Sequence, residues 1–175
     1  PGLANYVERV IAKHASSTIY VFSGQMGQYV PASFKGRVIA DFVDVDSAKF
    51  EAYAAKKHPA LRWIQSREAK FLREDEARLA ARADVSLLIS TAEAELFASR
   101  LSPQERAMAD IRVLPNGIDS DWFDPAKVEP ESRMRAFLYP RLIFTGQMNY
   151  APNIEAALPP AARVLPLIRP TVHDA

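Results

Sequence analysis

The chain contains no cysteine among its 175 residues. That absence excludes disulfide bonds, cysteine-ligated zinc and a thiol nucleophile, and it fits a reducing compartment. An excess of charge of one sign is also lacking, because 22 Lys and Arg residues stand against 21 Asp and Glu residues, for a formal net charge of +1. A nucleic-acid-binding protein needs a basic face to displace counterions from phosphates. The balance therefore argues against a nucleic-acid partner.

The sequence also lacks the usual signals of a membrane span, a histidine metal site and a glycine-rich phosphate-binding loop. No apolar run reaches the roughly 20 residues that span a bilayer. The three histidines, His14, His58 and His173, are far apart and lack metal-ligand spacing, so they indicate no metal site. Nothing in the sequence requires a metal, and no cofactor is predicted. Only six glycines are present, and they form neither a Walker loop nor a G-x-G-x-x-G fingerprint. About half of the residues are hydrophobic, which is enough to fill a core and excludes an intrinsically disordered chain.

Short apolar segments alternate with segments of helical periodicity. Strands are predicted over 18–22, 38–43, 85–89 and 111–114, and helices over 2–14, 47–55, 61–83 and from Ser90 or Thr91 onward. Several of the strands are apolar throughout, which is typical of a parallel sheet covered on both faces. The predicted fold class is therefore α/β, a partial Rossmann-like parallel sheet with helices on both faces.

The helix predicted over 61–83 is the longest. Its apolar stripe comprises Leu61, Ile64, Phe71, Leu72 and Leu79. It also carries six basic residues with four acidic residues interleaved, which favours a solvated face over an anionic partner. Trp63 and Trp122 are interpreted as packing residues rather than platforms for sugar stacking.

The composition changes after residue 115, and eight of the 13 prolines follow residue 120. Residues 1–115 are assigned to one domain. Residues 116–140 have little periodicity, and a structureless stretch of that length is uncommon inside a compact domain, so they are assigned to a linker. Residues 141–175 are assigned to a second domain, which opens with a strand over 142–145 and continues as a helix from about residue 152. Pro159, Pro160 and Pro166 should kink or divide that helix.

Three acids, Asp41, Asp44 and Asp46, follow one another at the end of the second predicted strand. Ligands of open α/β sheets bind outside the carboxyl ends of the strands, so Asp44 and Asp46 are the candidate catalytic residues, with roles as a base or a metal ligand in view. The alternative is a strand-to-helix turn in which Asp46 or Ser47 caps the next helix. The sequence leaves both interpretations open.

Two later segments are candidate binding elements. Asn116-Gly117 is a turn signal, because both residues tolerate positive φ, and Asp119 lies just beyond it. The second segment follows the strand predicted over 142–145, and its glycine precedes a helix start that could receive an anion on backbone N–H groups. Its candidate residues are Gly146, Gln147, Met148, Asn149 and Asn153.

Taken in order, four segments resemble a family 4-type glycosyltransferase of the GT-B fold. The nearest subgroup is the sugar transferases associated with bacterial exopolysaccharide and PEP-CTERM sorting systems. The segments are DFVDVDSAKF (Asp41–Phe50), Arg62–Phe97, VLPNGIDSDWFDP (Val113–Pro125) and LIFTGQMNYAPN (Leu142–Asn153). The resemblance covers the chain from Thr18 onward.

The resemblance implies that the chain is an internal fragment of a larger enzyme. The fragment would hold the later part of the N-terminal acceptor-side domain, a linker, and the first strand and helix of the donor-side domain. The whole enzyme would move a sugar from a nucleotide-diphosphate-sugar donor to a glycan or polyprenyl-linked acceptor, with retention of configuration, in exopolysaccharide biosynthesis. It would be cytoplasmic, with peripheral contact at the inner face of the bacterial membrane as a further expectation. The chain alone is expected to be inactive.

The family's site residues carry over in part. Asn116 and Gly117 match the inter-domain segment that borders the donor site, and Gly146 matches the glycine near the donor diphosphate. Gln147 and Asn149 follow where many relatives have an Arg and then a Lys. Asp44 or a neighbour stands where many relatives have a His, so Asp44 is either a base or an acceptor contact.

Two alternatives to the transferase remain. One is another GT-B-type enzyme, such as a non-hydrolysing nucleotide-sugar epimerase. The other is a non-catalytic module for nucleotide binding or assembly.

Overall fold

The structure is a computed structural model that describes residues 2–55, 58–136, 142–149, 151–168 and 170. The chain divides into two compact units, Pro1–Gly117 and Ile118–Ala175. The division falls inside the segment predicted as a linker. Each unit is described by itself below.

The first unit is built on a four-stranded sheet. Its strands are β1 (Thr18–Phe22), β2 (Arg37–Val43), β3 (Val85–Leu88) and β4 (Ile111–Val113). They lie in sequence order, and every neighbouring pair is parallel. Parallel neighbours need crossover connections, and helices supply two of them here. The predicted α/β fold with a partial Rossmann-like parallel sheet is confirmed.

The described residues of this unit form the helices α1 (Gly2–His14), α2 (Asp46–Ala55), α3 (Pro59–Arg82), α4 (Thr91–Arg100) and α5 (Pro103–Met108). A short 3-10 helix, Gly24–Tyr29, follows β1. Ser90 caps α4 by accepting a hydrogen bond from the backbone N–H of Glu93. It is one of the two residues, Ser90 and Thr91, at which the sequence predicted this helix to start. Ser102 and Glu105 form a reciprocal capping box on α5, which satisfies two backbone donors at that helix start.

The core lies on one face of the sheet. Val38, Ala40 and Phe42 alternate along β2 and are buried against side chains of α3 and α4. The rings of Phe42 and Phe97 lie 4.6 Å apart between their centroids. Leu79 joins the same cluster from α3. Burial of these side chains holds the two crossover helices against the strands.

The opposite face of the sheet carries Tyr20, Phe22 and Asp41. Tyr20 is 52% exposed and Phe22 is 65% exposed, so neither ring is packed under a helix. On the same face, Asp41 of β2 and Val85 of β3 are buried, so the exposed part of this face is at the edge strand β1.

The second unit is helical in its described residues. It contains a 3-10 turn (Pro125–Lys127) and the helices α6 (Ser132–Ala136), α7 (Ala151–Pro159) and α8 (Leu165–Ile168). A π-helical turn, Pro160–Val164, separates the last two. The α-helical ladder is interrupted after Pro159, where a break was predicted, because proline lacks the N–H that would continue it, whereas Pro166 lies inside α8.

The strand predicted over 142–145 is not formed. A strand needs a neighbour to pair its backbone N–H and C=O groups. The described residues of this unit contain no other strand, so the apolar segment has nothing to pair with. Among all the described residues, no helix is long and apolar enough to cross a membrane.

Candidate functional site

The site begins with a strained turn at the carboxyl end of β2. Val43 has φ of 66°, a value that β-branched residues rarely adopt. The N–H of Asp44 donates to the carbonyl of Phe42 at 2.8 Å, so Val43 is the central residue of a γ-turn with positive φ, which is a rare and strained form. Backbone strain of this kind clusters at functional sites. The turn directs Asp44 out of the strand and into the loop before α2.

Two carboxylates hold that loop from neighbouring helices. Glu93 of α4 accepts a hydrogen bond from the N–H of Val45 at 2.9 Å. Glu76 of α3 accepts from the N–H of Ser47 at 2.9 Å and from its hydroxyl at 2.6 Å. These bonds satisfy backbone donors at the start of α2 that have no partner within the helix. The loop carrying the candidate acids is therefore positioned by α3 and α4.

Glu76 belongs to a buried polar network. Burial raises the pKa of its carboxyl, although the hydrogen bonds from Ser47 oppose that shift. Arg100 donates to the Ser47 hydroxyl through Nε at 3.1 Å and to both carboxylate oxygens of Glu51 at 2.9 and 2.6 Å. The hydrogen bonds from Arg100 lower the pKa of Glu51. The network connects α2, α3 and α4 directly beneath the candidate site.

Asp44 and Asp46 are brought together by Lys49. The ammonium nitrogen of Lys49 lies 2.6 Å from Oδ2 of Asp44 and 3.4 Å from Oδ1 of Asp46. Burial opposes the charge on Lys49, but the hydrogen bond and charge of Asp44 outweigh it and raise the pKa of the lysine. Gln25 from the 3-10 helix reaches Asp46 with Nε2 at 3.5 Å. Both carboxylates keep part of their surface open to solvent.

Gln25, Asp44 and Asp46 line a cleft of about 600 Å³. Its floor is formed by apolar residues such as Phe42, Leu72 and Leu79, and Asp44 and Asp46 lie at its polar side. A larger cleft of about 720 Å³ lies beside α1 and Gly36, at the opposite end of β2. Ligands of parallel sheets bind at the carboxyl ends of strands, so the cleft with Asp44 is the candidate site.

Polar groups of the cleft come from two elements besides the acid loop. The 3-10 helix contributes the amide side chains of Gln25 and Gln28, and α3 contributes Glu68 and Arg78. Arg78 is paired with Asp75 on the same helix. Amide and carboxylate groups around an apolar floor can bind the hydroxyl groups and the apolar surface of a small ligand together.

Asp41, the first of the three acids, does not join the cleft. Its Oδ1 accepts from the N–H of Val43 at 3.1 Å, and its Oδ2 accepts from the hydroxyl of Tyr20. The hydrogen bond to Asp41 raises the pKa of Tyr20. Asp41 therefore supports the strained turn from a buried position beside Tyr20.

The interpretation of the acids at this strand end as metal ligands gains no support from their positions. Among the described residues, no group of three or more His, Asp and Glu side chains is placed to hold a metal ion. Lys49 lies between Asp44 and Asp46 and supplies the positive charge that these carboxylates face. The arrangement can accept hydrogen bonds from a ligand and can receive a proton.

The residues predicted near the domain boundary have local roles. Asn116 and Gly117 are exposed, and a Cβ atom added to Gly117 would meet nothing within 4 Å. Asp119 accepts from the N–H groups of Asp121 and Trp122 at 3.1 and 2.9 Å, so its carboxylate stabilises its own turn.

In the second unit, three predicted residues lie together. Asn153 donates through Nδ2 to the carbonyl of Gln147 at 3.1 Å. The same Nδ2 lies 3.0 Å from the position that a Cβ on Gly146 would occupy, so any larger residue would press against the amide. Met148 and Asn149 are exposed in the same turn. The segment forms a closed turn before α7, with its predicted residues on or near it.

Sequence reasoning missed several residues of the site. Lys49 stands three residues after Asp46, so an i,i+3 pair was readable. Glu76 follows Leu72 by four residues, and that helical spacing places a charged residue on the inner side of α3. Gln25 and Glu93 reach the loop from distant segments, and no local pattern indicates such contacts.

The chain matches no protein-family model, no curated protein and no solved structure. The resemblance to family 4-type glycosyltransferases therefore stands on the four sequence segments alone.

Proposed function

We propose that the first unit is the acceptor-binding domain of a retaining glycosyltransferase that uses a nucleotide-diphosphate-sugar donor. In this proposal the cleft at the end of β2 binds the acceptor, a glycan or the sugar of a polyprenyl-linked glycan. The observation that supports it most is the position of Asp44. Its carboxylate follows a strained γ-turn at the carboxyl end of a parallel strand and lines a cleft of about 600 Å³.

The charges of the cleft favour the acceptor over the donor as its ligand. Five acids line it, namely Asp44, Asp46, Glu68, Asp75 and Glu76, against two arginines, Arg78 and Arg82. A nucleotide diphosphate would meet repulsion from such a surface. Sugar hydroxyls, by contrast, donate hydrogen bonds to carboxylates, and bonds to a charged acceptor are about twice as strong as neutral ones. The donor is therefore assigned to another part of the enzyme.

The reaction would join the acceptor oxygen to the anomeric carbon of the donor sugar. The bond between that carbon and the diphosphate oxygen breaks, and the diphosphate leaves with the electron pair. The proton of the acceptor hydroxyl passes to Asp44 or to the departing diphosphate. Asp44 and Asp46 would hold the acceptor hydroxyl in position, which lowers the entropic part of the barrier. Lys49 keeps the two carboxylates at fixed positions through its ion pairs.

The proposal is tested by binding rather than by turnover, because Asp44 and Asp46 are assigned to the acceptor. A panel of neutral mono- and disaccharides is titrated into the isotope-labelled 175-residue chain, and amide NMR shifts are followed. Shifts are expected at Gln25 and at the loop from Asp44 to Ser47. Asp44→Asn should weaken binding by about 10- to 100-fold, which corresponds to losing one hydrogen bond to a charged group.

The matched control is Asp110→Asn. Asp110 precedes β4 at the opposite end of the sheet and pairs with Arg112, so its loss removes a carboxylate without touching the cleft. Binding that is equal in Asp44→Asn and in the unmodified chain would contradict the proposal. So would saccharide-dependent shifts that map away from the β2 loop, or none with any member of the panel. Nucleotide release from a sugar donor by this chain alone would contradict the expectation that it is inactive.

A further inference from the structure

The outer side of α3 exposes large apolar side chains to solvent. Trp63 is 68% exposed and Phe71 is 44% exposed, and neither ring belongs to the described core cluster. Side chains three and four residues apart lie together on one side of a helix. We name the set on this side the outer face of α3: Trp63, Ile64, Arg67, Lys70, Phe71 and Glu74. The apolar stripe predicted for this helix is therefore directed outward in its first half.

The inner side of the same helix explains this orientation. Ala69, Glu76 and Ala80 are buried, and their helical positions lie about half a turn away from the outer face. Two small residues and the carboxylate that holds Ser47 occupy the space toward the sheet, so the large side chains of the first half have no place there. They remain exposed on the opposite side.

The charges along the helix change sign near its middle. Residues 59–73 include four basic side chains and one acid, Glu68, and three consecutive acids follow at residues 74–76. On the outer face itself, Arg67 and Lys70 precede Phe71, whereas Glu74 follows it. The overall count of six basic and four acidic residues hid this order, because a count does not show where along the helix each sign lies.

The charged groups of the outer face are available to a second molecule. Arg67 contacts Glu68 at 3.5 Å and lies over the ring of Phe71 at 4.8 Å, and both are weak interactions on an exposed surface. Among the described residues, neither Lys70 nor Glu74 forms an ion pair, although their spacing of four residues would permit one. These groups therefore keep most of their capacity to pair with charges on another chain.

Phe71 stands at the middle of α3. The helix runs over residues 59–82, so Phe71 lies within one residue of its centre. Two such helices that pack antiparallel at Phe71 overlap along their whole length, and the first half of each lies against the second half of the other. Trp63 then lies near Ala77 and Ala81 of the other copy, whose small side chains leave room for its ring.

We propose that two copies of the chain associate through the outer face of α3, antiparallel and with a two-fold axis beside Phe71. In this arrangement Glu74 of each copy lies within one helical turn of Arg67 and Lys70 of the other copy. A symmetric dimer forms each of these contacts twice. The outer face shares no residue with the acceptor cleft, so this inference stands without the proposed function.

The order of the charges favours a second copy over other partners. An acidic protein would satisfy Arg67 and Lys70 but would be repelled by Glu74, whereas an antiparallel copy of α3 satisfies all three. A parallel copy would place like charges against each other, which is unfavourable. The complementary charges therefore give the pairing its direction, and the exposed rings supply apolar surface for it to bury.

Sedimentation velocity of the full chain over a wide range of protein concentration measures the association. A monomer–dimer equilibrium is expected, and high salt should shift it toward the monomer because salt screens the charge pairs. The chain contains two tryptophans, so in the Trp122→Phe variant Trp63 reports alone. Its emission is expected to shift to the blue as the dimer forms and the ring leaves water.

Charge reversal tests the pairing of the two halves. Glu74→Lys adds a third positive charge to the outer face and should raise the dissociation constant of the dimer by at least about tenfold, since the change acts twice in a symmetric dimer. Glu95→Lys makes the same change of charge at an exposed position on α4 and should leave the dimer unchanged. Circular dichroism confirms that each variant is folded.

Mixing two oppositely reversed chains is the most specific test. The Glu74→Lys chain presents only positive charges on its outer face, and a chain with Arg67→Glu and Lys70→Glu presents only negative ones. The two should form a heterodimer although neither pairs well with itself. Glu95→Lys mixed with the same negative chain has the same net charges in a different place, and this mixture should associate more weakly.

The proposal is overturned by a chain that stays monomeric at every concentration. It is also overturned if Glu74→Lys and Glu95→Lys weaken the dimer equally, or if the two reversed chains fail to associate when mixed. Binding of polyglutamate by a monomeric chain, seen as a shift of Trp63 emission, would assign the face to an acidic protein instead. None of these results depends on saccharide binding.

Discussion

Glu76 holds Ser47 through two hydrogen bonds from the inner side of α3. One carboxylate oxygen accepts the backbone N–H of Ser47 at 2.9 Å, and the other accepts its hydroxyl at 2.6 Å. Both residues are buried. The two residues are 29 positions apart in the chain, so this contact joins the second strand's loop to the longest helix and sets the position of Asp44 and Asp46.

Removing the carboxylate should cost a large part of the stability. Glu76→Ala leaves the N–H and hydroxyl of Ser47 without their acceptor, and an unsatisfied buried polar group costs about 1–3 kcal/mol. Glu76→Gln keeps one acceptor and should cost less. Denaturant unfolding of both variants checks this, with the exposed Glu74→Ala as control. Equal stability of Glu76→Ala and Glu74→Ala would show that the pair with Ser47 contributes nothing.

The same carboxyl should make stability depend on pH. Burial raises the pKa of Glu76 above the ordinary value of 4.5, so the folded state binds more protons than the unfolded state between the two pKa values. Stability should therefore fall as the pH rises from about 4.5 through the folded pKa, and level off above it. In Glu76→Gln that fall should be absent from unfolding curves measured at a series of pH values.

Glu51 should make stability depend on pH in the opposite direction, and in a lower range of pH. Its pKa is lowered by the hydrogen bonds from Arg100, so its stabilising effect is complete above the ordinary value of 4.5 and is lost as the pH falls through the folded pKa. Glu51→Gln should therefore flatten the acid side of the profile and leave the region above 4.5 unchanged. A loss of the higher-pH slope in Glu51→Gln would contradict the assignment to Glu76.

Because the turn at Val43 is strained, replacing Val43 with glycine should cost little stability. A residue with a side chain pays about 1–2 kcal/mol in the left-handed region, and Val43 has φ of 66°. Val43→Gly removes that cost while losing a half-buried side chain, so its stability should lie within about 1 kcal/mol of the original. Ile39→Gly, in the regular part of the same strand, should lose roughly 2 kcal/mol or more. Thermal melts of the two variants give the comparison, and equal losses would argue against strain at Val43.

At Gly36, just before β2, a larger residue should clash with its neighbours. A Cβ atom there would contact the backbone carbonyl oxygen of Ser17 and the ring of Phe34, and a backbone oxygen held in the sheet has little room to move. Gly36→Ala should destabilise the chain by about 1–3 kcal/mol. Gly117→Ala, where a Cβ meets nothing within 4 Å, is the control. A Gly36→Ala protein as stable as that control would show that the strand start can shift.

The secondary structure of the first unit was readable from the sequence. Short apolar segments and caps such as Ser90 are local signals, and they predicted the four strands and the starts of α1 to α4 within one or two residues, whereas α5 was not predicted. The acid loop after β2 was readable for the same reason, because strand ends in parallel sheets collect ligands. Residues 142–145 show the limit of such signals, since an apolar segment becomes a strand only where another strand pairs with it.

By itself, then, the sequence determined the order of strands and helices and the placement of Asp44 and Asp46 at a strand end. The tertiary structure decided which way each side chain is directed. It separated Asp41 from the cleft, placed Glu76 and Glu93 on the loop from 29 and 48 residues away, and directed Trp63 outward. The spacing of apolar residues indicates that a helix has an apolar side and a polar side. Which side is buried depends on what the rest of the fold packs against the helix.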